Sequence, residues 1–193
     1  QNVLEQMTDA PSTQFLLEPK GRNTAPAIAL AALHCEKYFS PDTVMLVLSA
    51  DHLIPNVDAL VASANEAAHL AQGGALVVFG IPPTAPETGY GYLEVHQASR
   101  NSQRVERFVE KPDLATAQGY LATGRYYWNS GMFCFTAASI IQALQAHAPE
   151  VLAAARTAMS TSTTKGNQTN FEPHASGLQP EISIDYAVME HAR

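Results

Sequence analysis

Residues 43–48 read Thr-Val-Met-Leu-Val-Leu, and Ser49-Ala50-Asp51-His52 follows directly. A continuous apolar run rich in β-branched residues predicts a strand covered on both faces, as in parallel sheets. An acid and a histidine just past such a strand sit where α/β sheets collect ligands. Upstream, residues 24–39 are Ala-rich and predict a helix. Asn23 or Thr24 can cap it, Pro26 suits its first turn, and Ser40-Pro41 stops it. Before that helix, Phe15-Leu16-Leu17 is a short buried strand ended by Glu18-Pro19. Downstream, Asn56 caps a helix to about residue 72, with Val57, Leu60, Ala64, Ala67 and Ala71 along one face. Gly73-Gly74 closes it, and residues 75–79 form another buried strand before a Pro-rich loop at 82–86. The order strand–helix–strand–helix–strand predicts an α/β sheet, mainly parallel in its first half.

From Thr88 the pattern changes. Residues 90–95 and 105–109 alternate polar and apolar side chains, as in a partly exposed antiparallel pair with its turn at 99–103. Asp113 caps a short helix to about residue 122. Residues 126–135 predict a strand interrupted at Asn129-Ser130-Gly131, and helices follow over 137–146 and 149–159. The polar stretch 160–180 reads as a mobile loop, and Ser183 can cap a last helix through Glu190. Residues 1–7 read as the tail of a helix.

The chain has 193 residues, enough for one domain with a substantial core. Its 11 Lys and Arg against 18 Asp and Glu give a net charge of −7. Without a basic cluster it is a poor nucleic-acid binder, because neutralising phosphates needs grouped cations. No apolar run reaches the ~20 residues of a membrane span, so no membrane partner is expected. Cys35 and Cys134 are far apart in apolar surroundings. That argues against a disulfide framework and fits a reducing cytoplasm.

The densest polar cluster is Glu18-Pro19-Lys20-Gly21-Arg22-Asn23-Thr24, a strand end, a tight loop and a helix start. Free N–H groups at a helix N-terminus suit an anionic or polar ligand. The Glu18 carboxylate could accept the N1–H and exocyclic amine of guanine together, a pair adenine does not offer. A capped helix with solvated charges would carry the same residues.

The stretches EPKGRNTAPAIALAAL (18–33) and VLSADHLIPN (47–56) resemble bacterial mannose-1-phosphate guanylyltransferases of the nucleotidyltransferase superfamily. GYGYLEV (89–95), VERFVEKPD (105–113), YYWNSGMF (126–133) and SIDYAVME (183–190) agree, in order along the chain. The resemblance implies a Rossmann-like, glycosyltransferase-A-like fold. It would be a mixed, mainly parallel sheet with flanking helices and an antiparallel sugar-binding insertion. Residues 1–87 would serve the nucleotide and residues 88–193 the sugar phosphate. The implied reaction transfers GMP from GTP to α-D-mannose 1-phosphate with Mg²⁺ as cofactor.

Carried onto this chain, the family pattern makes Asp51 a metal ligand and, with Lys111, catalytic. Glu18, Arg22, Asn23 and Thr24 would hold the nucleotide. Gly91, Glu110, Lys111 and Asn129 would hold the sugar phosphate, with Lys111 meeting the phosphate as a point charge. Each has a plainer structural reading: a loop carboxylate at Asp51, a solvated ion pair at Glu110-Lys111, a turn glycine at Gly91, a bulge residue at Asn129. Tyr127 and Trp128 read as core, His52 as a loop histidine, and Asp185 as a first-turn acid facing the helix dipole, outside the site.

The family's Gly-rich phosphate loop has no counterpart before Glu18, and a second metal-binding Asp expected well beyond residue 190 is missing. The expectation is a catalytic domain incomplete at both ends and inactive by itself. Two other readings stay open: a non-catalytic sugar-nucleotide-binding or regulatory module, and a nucleotidyltransferase for another hexose 1-phosphate. A homo-oligomeric parent is compatible with the sequence.

Overall fold

The computed structural model describes residues 13–96, 102–172 and 180–192. The helix tail expected at 1–7 and most of the turn expected at 99–103 lie outside them. Strand β1 (Phe15–Leu17) leads into helix α1 (Thr24–Tyr38), then β2 (Val44–Val47), α2 (Val57–Gln72) and β3 (Val77–Ile81). A hairpin of β4 (Tyr92–Val95) and β5 (Val105–Val109) follows, then α3 (Leu114–Thr123), β6 (Tyr126–Thr136), α4 (Ala137–His147) and α5 (Pro149–Ser160). The chain continues through β7 (Thr163–Lys165) and β8 (Gln168–Asn170) to a π-helical turn at Asp185–Met189.

The capping residues act as the sequence suggests. Asn23 Oδ1 accepts from Thr24 N, Asn56 Oδ1 from Ala59 N, and Asp113 Oδ1 from Thr116 N. Each satisfies an N–H that the first helical turn leaves without a carbonyl.

The long strand β6 organises a five-stranded sheet. It pairs antiparallel with β2 over residues 133–136, with β3 over 128–134 and with β4 over 126–128. The β3 rungs overlap those of both other strands, so β3 takes one edge of β6 while β2 and β4 share the opposite edge. Strands β2 and β3 therefore run in the same direction, as expected, but are not neighbours. The expected mainly parallel pairing gives way to antiparallel pairing through β6. Apolar runs report burial, and they carry no information on which strand lies alongside.

Successive β6 side chains serve opposite faces. Phe133 and Phe135 enter the main core with Ile28, Leu30, Leu33, Ile140, Leu144 and Leu152. Cys134 packs against Ala67 and Ala71 of α2 on the other face. Helices thus flank both sides of the sheet. Coverage of β2 is less complete than its sequence implies, since Leu46 is 40% exposed. The break expected at residues 129–131 is a bulge within a continuous β6, with a register shift between Val78 and Gly80 of β3 and Gly131 at φ 70°.

Part of the expected loop at 160–180 is a hairpin. Strands β7 and β8 pair antiparallel, and β8 pairs parallel with β1 in a separate three-stranded sheet. Gly166, at φ 60°, permits the tight turn, and the Thr164 and Thr169 hydroxyls lie 3.0 Å apart. Threonine-rich polar segments pass for loops until a strand edge such as β1 is offered to them.

Candidate functional site

The antiparallel register brings four expected residues together partway along β6, at the gap between β2 and β4 on one of its edges. Tyr92 of β4 pairs with Val109 of β5, so Gly91 and Glu110-Lys111 flank the last rung. Asn129 of β6 pairs with Gly80 of β3, and its backbone N–H donates to Gly91 O at 2.8 Å. A Cβ on Gly91 would stand 2.6 Å from Glu110 Oε2 and 3.4 Å from Asn129 Cβ. A side chain at 91 would displace the Glu110 carboxylate from this place, so the glycine seats a protein group directly.

Glu110 is held on its other oxygen by Lys111 Nζ at 2.6 Å, and its side chain is only 12% exposed. The hydrogen bond and charge of Glu110 raise the Lys111 pKa, so the ammonium stays charged. That ammonium lies 5.9 Å from the centroid of the Tyr186 ring. The Asn129 side chain is engaged at both ends: Oδ1 accepts from Gly131 N at 3.2 Å, and Nδ2 donates to Asp185 Oδ1 at 2.9 Å. Asp185 opens the π-helical turn, and its carboxyl is pushed up chiefly by burial, with the Asn129 hydrogen bond opposing the shift. It is the first-turn acid the sequence suggests, and it also contacts the cluster from which that reading left it out. SIDYAVME drew attention to this segment, but the Asn129–Asp185 contact joins residues far apart in sequence, which local reading does not detect.

The Glu18–Thr24 loop lies at the start of α1. Burial raises the Glu18 pKa, and Glu18 Oε1 is buried without a hydrogen-bond partner among the described residues. Asn23 adopts φ 71°, ψ −172°, a region normally left to glycine. Among described residues, the non-glycine positions with positive φ are Asn23 and Lys111 (φ 44°), one in each candidate loop. Strained backbone collects at functional sites. The two loops are also linked: Thr24 Oγ1 accepts from Ile184 N at 2.8 Å, and Ala25 N donates to Ile182 O at 3.2 Å. Segment 182–185 thus runs from the Thr24 cap to the Asp185–Asn129 bond. Arg22 is half-buried in the same loop.

Asp51 stands apart. It lies in the exposed turn after β2, with His52 beside it, also exposed. The antiparallel rung Val47–Phe133 sends β2 toward the Asn129 bulge of β6, so Asp51 leaves β2 on the side of that bulge. No group of three or more His, Cys, Asp or Glu gathers to cage a metal among the described residues. One hard carboxylate still fits Mg²⁺, which commonly takes one or two carboxylates and fills its sphere with water and substrate phosphate. A hollow with apolar walls lies elsewhere. It is a cleft of about 370 Å³ between α2, β3 and the β4–β5 hairpin, lined by Val77, Phe79, Leu93 and Val105, and it contains none of the candidate residues. The expected residues therefore form two tethered loops plus one separate turn on the bulge side of β2.

Residues 1–171 match the Nucleotidyl transferase family, and the chain belongs to it. Its relatives narrow the class. The xanthan biosynthesis protein XanB of Xanthomonas campestris pv. campestris (strain B100) is 50% identical over 187 residues, covering 97% of this chain and 39% of that protein. The mannose-1-phosphate guanylyltransferase of Escherichia coli (strain K12) is 49% identical over 183 residues, covering 91% and 38%. The chain spans about two-fifths of the length of these curated relatives. A crystal structure of a mannose-6-phosphate isomerase from Helicobacter pylori superposes with a TM-score of 0.89 at 34% identity, covering 98% of this chain and 74% of that one. A Thermus thermophilus protein described as a mannose-1-phosphate geranyltransferase gives 0.84 at 33% identity, covering 100% and 53%. Among the described residues no helix is long and apolar enough to cross a membrane.

Proposed function

We propose that the protein containing this chain transfers GMP from GTP to α-D-mannose 1-phosphate, giving GDP-mannose and pyrophosphate. A phosphate oxygen of mannose 1-phosphate attacks the α-phosphorus of GTP in line, and the bond to the bridging β-phosphate oxygen breaks. Glu18 reads the guanine edge, while Arg22, Asn23, Thr24 and the α1 start hold the nucleotide. Glu110 and Asn129 hydrogen-bond hexose hydroxyls, Gly91 seats Glu110, and the Lys111 ammonium neutralises the attacking phosphate. Asp51 would hold Mg²⁺, which when bound offsets charge on the transferring phosphoryl group. Residues 1–87 thus form the nucleotide side and 88–193 the sugar-phosphate side of one sheet. With free cysteines at Cys35 and Cys134, the cytoplasm is the compartment that fits.

The observation that carries this reading is the Gly91–Glu110–Lys111–Asn129 cluster, tethered through residues 182–185 to the Thr24 loop. Pyrophosphate release by the protein in its full reading frame, given GTP and mannose 1-phosphate, tests it. Turnover is expected to need both substrates and to fall roughly 10- to 100-fold in Lys111→Met, the scale of one charge-assisted hydrogen bond. Tight GDP-mannose binding without turnover would instead identify a silent binding module. Preference for another sugar phosphate would move the substrate. The same assay on the 193-residue chain tests the expectation that it is inactive alone.

A further inference from the structure

We propose that Asp185 is a positioning residue for the hexose phosphate, fixing the Asn129 amide in one orientation through the Asn129 Nδ2–Asp185 Oδ1 hydrogen bond. The inference rests on the sugar-binding role proposed for Asn129. An amide can present either end to a neighbour, and the two partners of Asn129 remove that freedom. Gly131 N–H can only donate and lies against Oδ1; Asp185 Oδ1 accepts from Nδ2. Turning the amide over would set N–H against N–H and oxygen against carboxylate at once. One N–H and one carbonyl lone pair of Asn129 remain for a ligand, and their order is set by Asp185.

The backbone that carries the carboxylate is itself held. Ile184 N–H, the preceding amide, donates to Thr24 Oγ1, and Glu190 N–H donates to Asp185 O at 3.0 Å. Asp185 shares its surroundings with the like-charged Glu110 and Glu190 and with the Lys111 ammonium, so it stands within the charged cluster of the site. Its location follows a functional logic: the residue that sets the amide is anchored to the cap of the nucleotide-side helix.

The experiment uses the full-length protein carrying Asp185→Asn, Asp185→Ala and Asp185→Leu, with thermal melts to verify folding. Asparagine can still accept from Asn129 Nδ2 through its own carbonyl; alanine and leucine cannot. KM for mannose 1-phosphate is expected to rise roughly 10-fold or more in the alanine and leucine variants while KM for GTP stays within about twofold. Asp185→Asn should stay within about threefold of the parent for both. Equal rises in both KM values, an asparagine variant as impaired as alanine, or no change in any variant would each overturn the proposal. If the parent releases no pyrophosphate, calorimetric titration with mannose 1-phosphate separates the two ideas. Binding that disappears in Asp185→Ala but survives in Asp185→Asn sustains the positioning role while the reaction fails. Absence of binding to the parent removes both.

Discussion

The turn at Asp51 follows a strand that points toward the Asn129 bulge of β6, yet that turn and the cluster around Asn129 are built in opposite ways. Asp51 is exposed, and no ion pair or hydrogen bond ties it to either candidate loop among the described residues. Around Asn129 the residues interlock: Gly91 yields space to Glu110, Glu110 holds Lys111, and Asn129 is pinned by Gly131 and Asp185. The difference teaches what each side can do without a ligand. A hexose presents many neutral hydroxyls, and selecting among them needs donors and acceptors fixed beforehand. A cation carried by phosphate brings its own strong field and needs little more than a reachable oxygen.

The contrast can be broken by substitution. Asp51→Asn should cut turnover of the full protein most, by roughly 100-fold or more, the scale of losing transition-state contact with a metal's charge. Its melting temperature should stay unchanged. A large drop in melting temperature would mean that the turn is structural and that the two regions are not built differently.

Gly91→Ala should show the reverse mixture. The new Cβ meets Glu110 Oε2 at 2.6 Å, so the carboxylate or the β4 backbone must move. A cost of up to about 1 kcal/mol in unfolding free energy is expected, the low end of overpacking, because the group that gives way is the end of the Glu110 side chain. KM for mannose 1-phosphate should rise about 10-fold, the effect of one displaced hydrogen-bonding group. Denaturant melts and steady-state kinetics on the same preparation check both halves. Unchanged stability would show that the close fit is relieved without consequence.

The smallest effect is in pH dependence. Burial holds the Asp185 pKa above the usual carboxylate value, so the native state binds this proton more tightly than the unfolded chain does. By linkage, this group favours folding most at acid pH, and that contribution is lost as pH rises from the unfolded pKa through the higher native one. Burial raises Glu18 and Glu190 in the same direction. Asp185→Asn should therefore flatten, but not abolish, the fall in stability between the acid and neutral ranges. Melts across that range test the sign: a steeper fall in the variant would mean that the ionised carboxylate stabilises the fold.

Much of the architecture was legible locally. Asn23, Asn56 and Asp113 announced their helices because capping depends on a side chain and an amide one to three residues away. The β4–β5 pair was legible from its alternation. Neighbours in the sheet were not. Strand β6 inserts between β2 and β3 because its two edges satisfy both, and a run of Val and Leu reads the same with either partner. The β7–β8 hairpin was hidden for a related reason, its Thr-rich strands being polar until β1 supplies an edge. The candidate site divides along the same line. Glu18, Asp51, Glu110 and Lys111 stood out as charged residues at strand ends.

From its residues alone, the chain determined its helices, its strand candidates and the loops where chemistry would lie. Those depend on interactions within a few residues of one another. Only the tertiary structure decided that Asp185 belongs with Asn129, that Glu110 fills the place of a Gly91 side chain, and that Thr24 reaches both through residues 182–185. Each of those is a contact between distant parts of the chain, and such contacts exist only once folding has closed the loops between them.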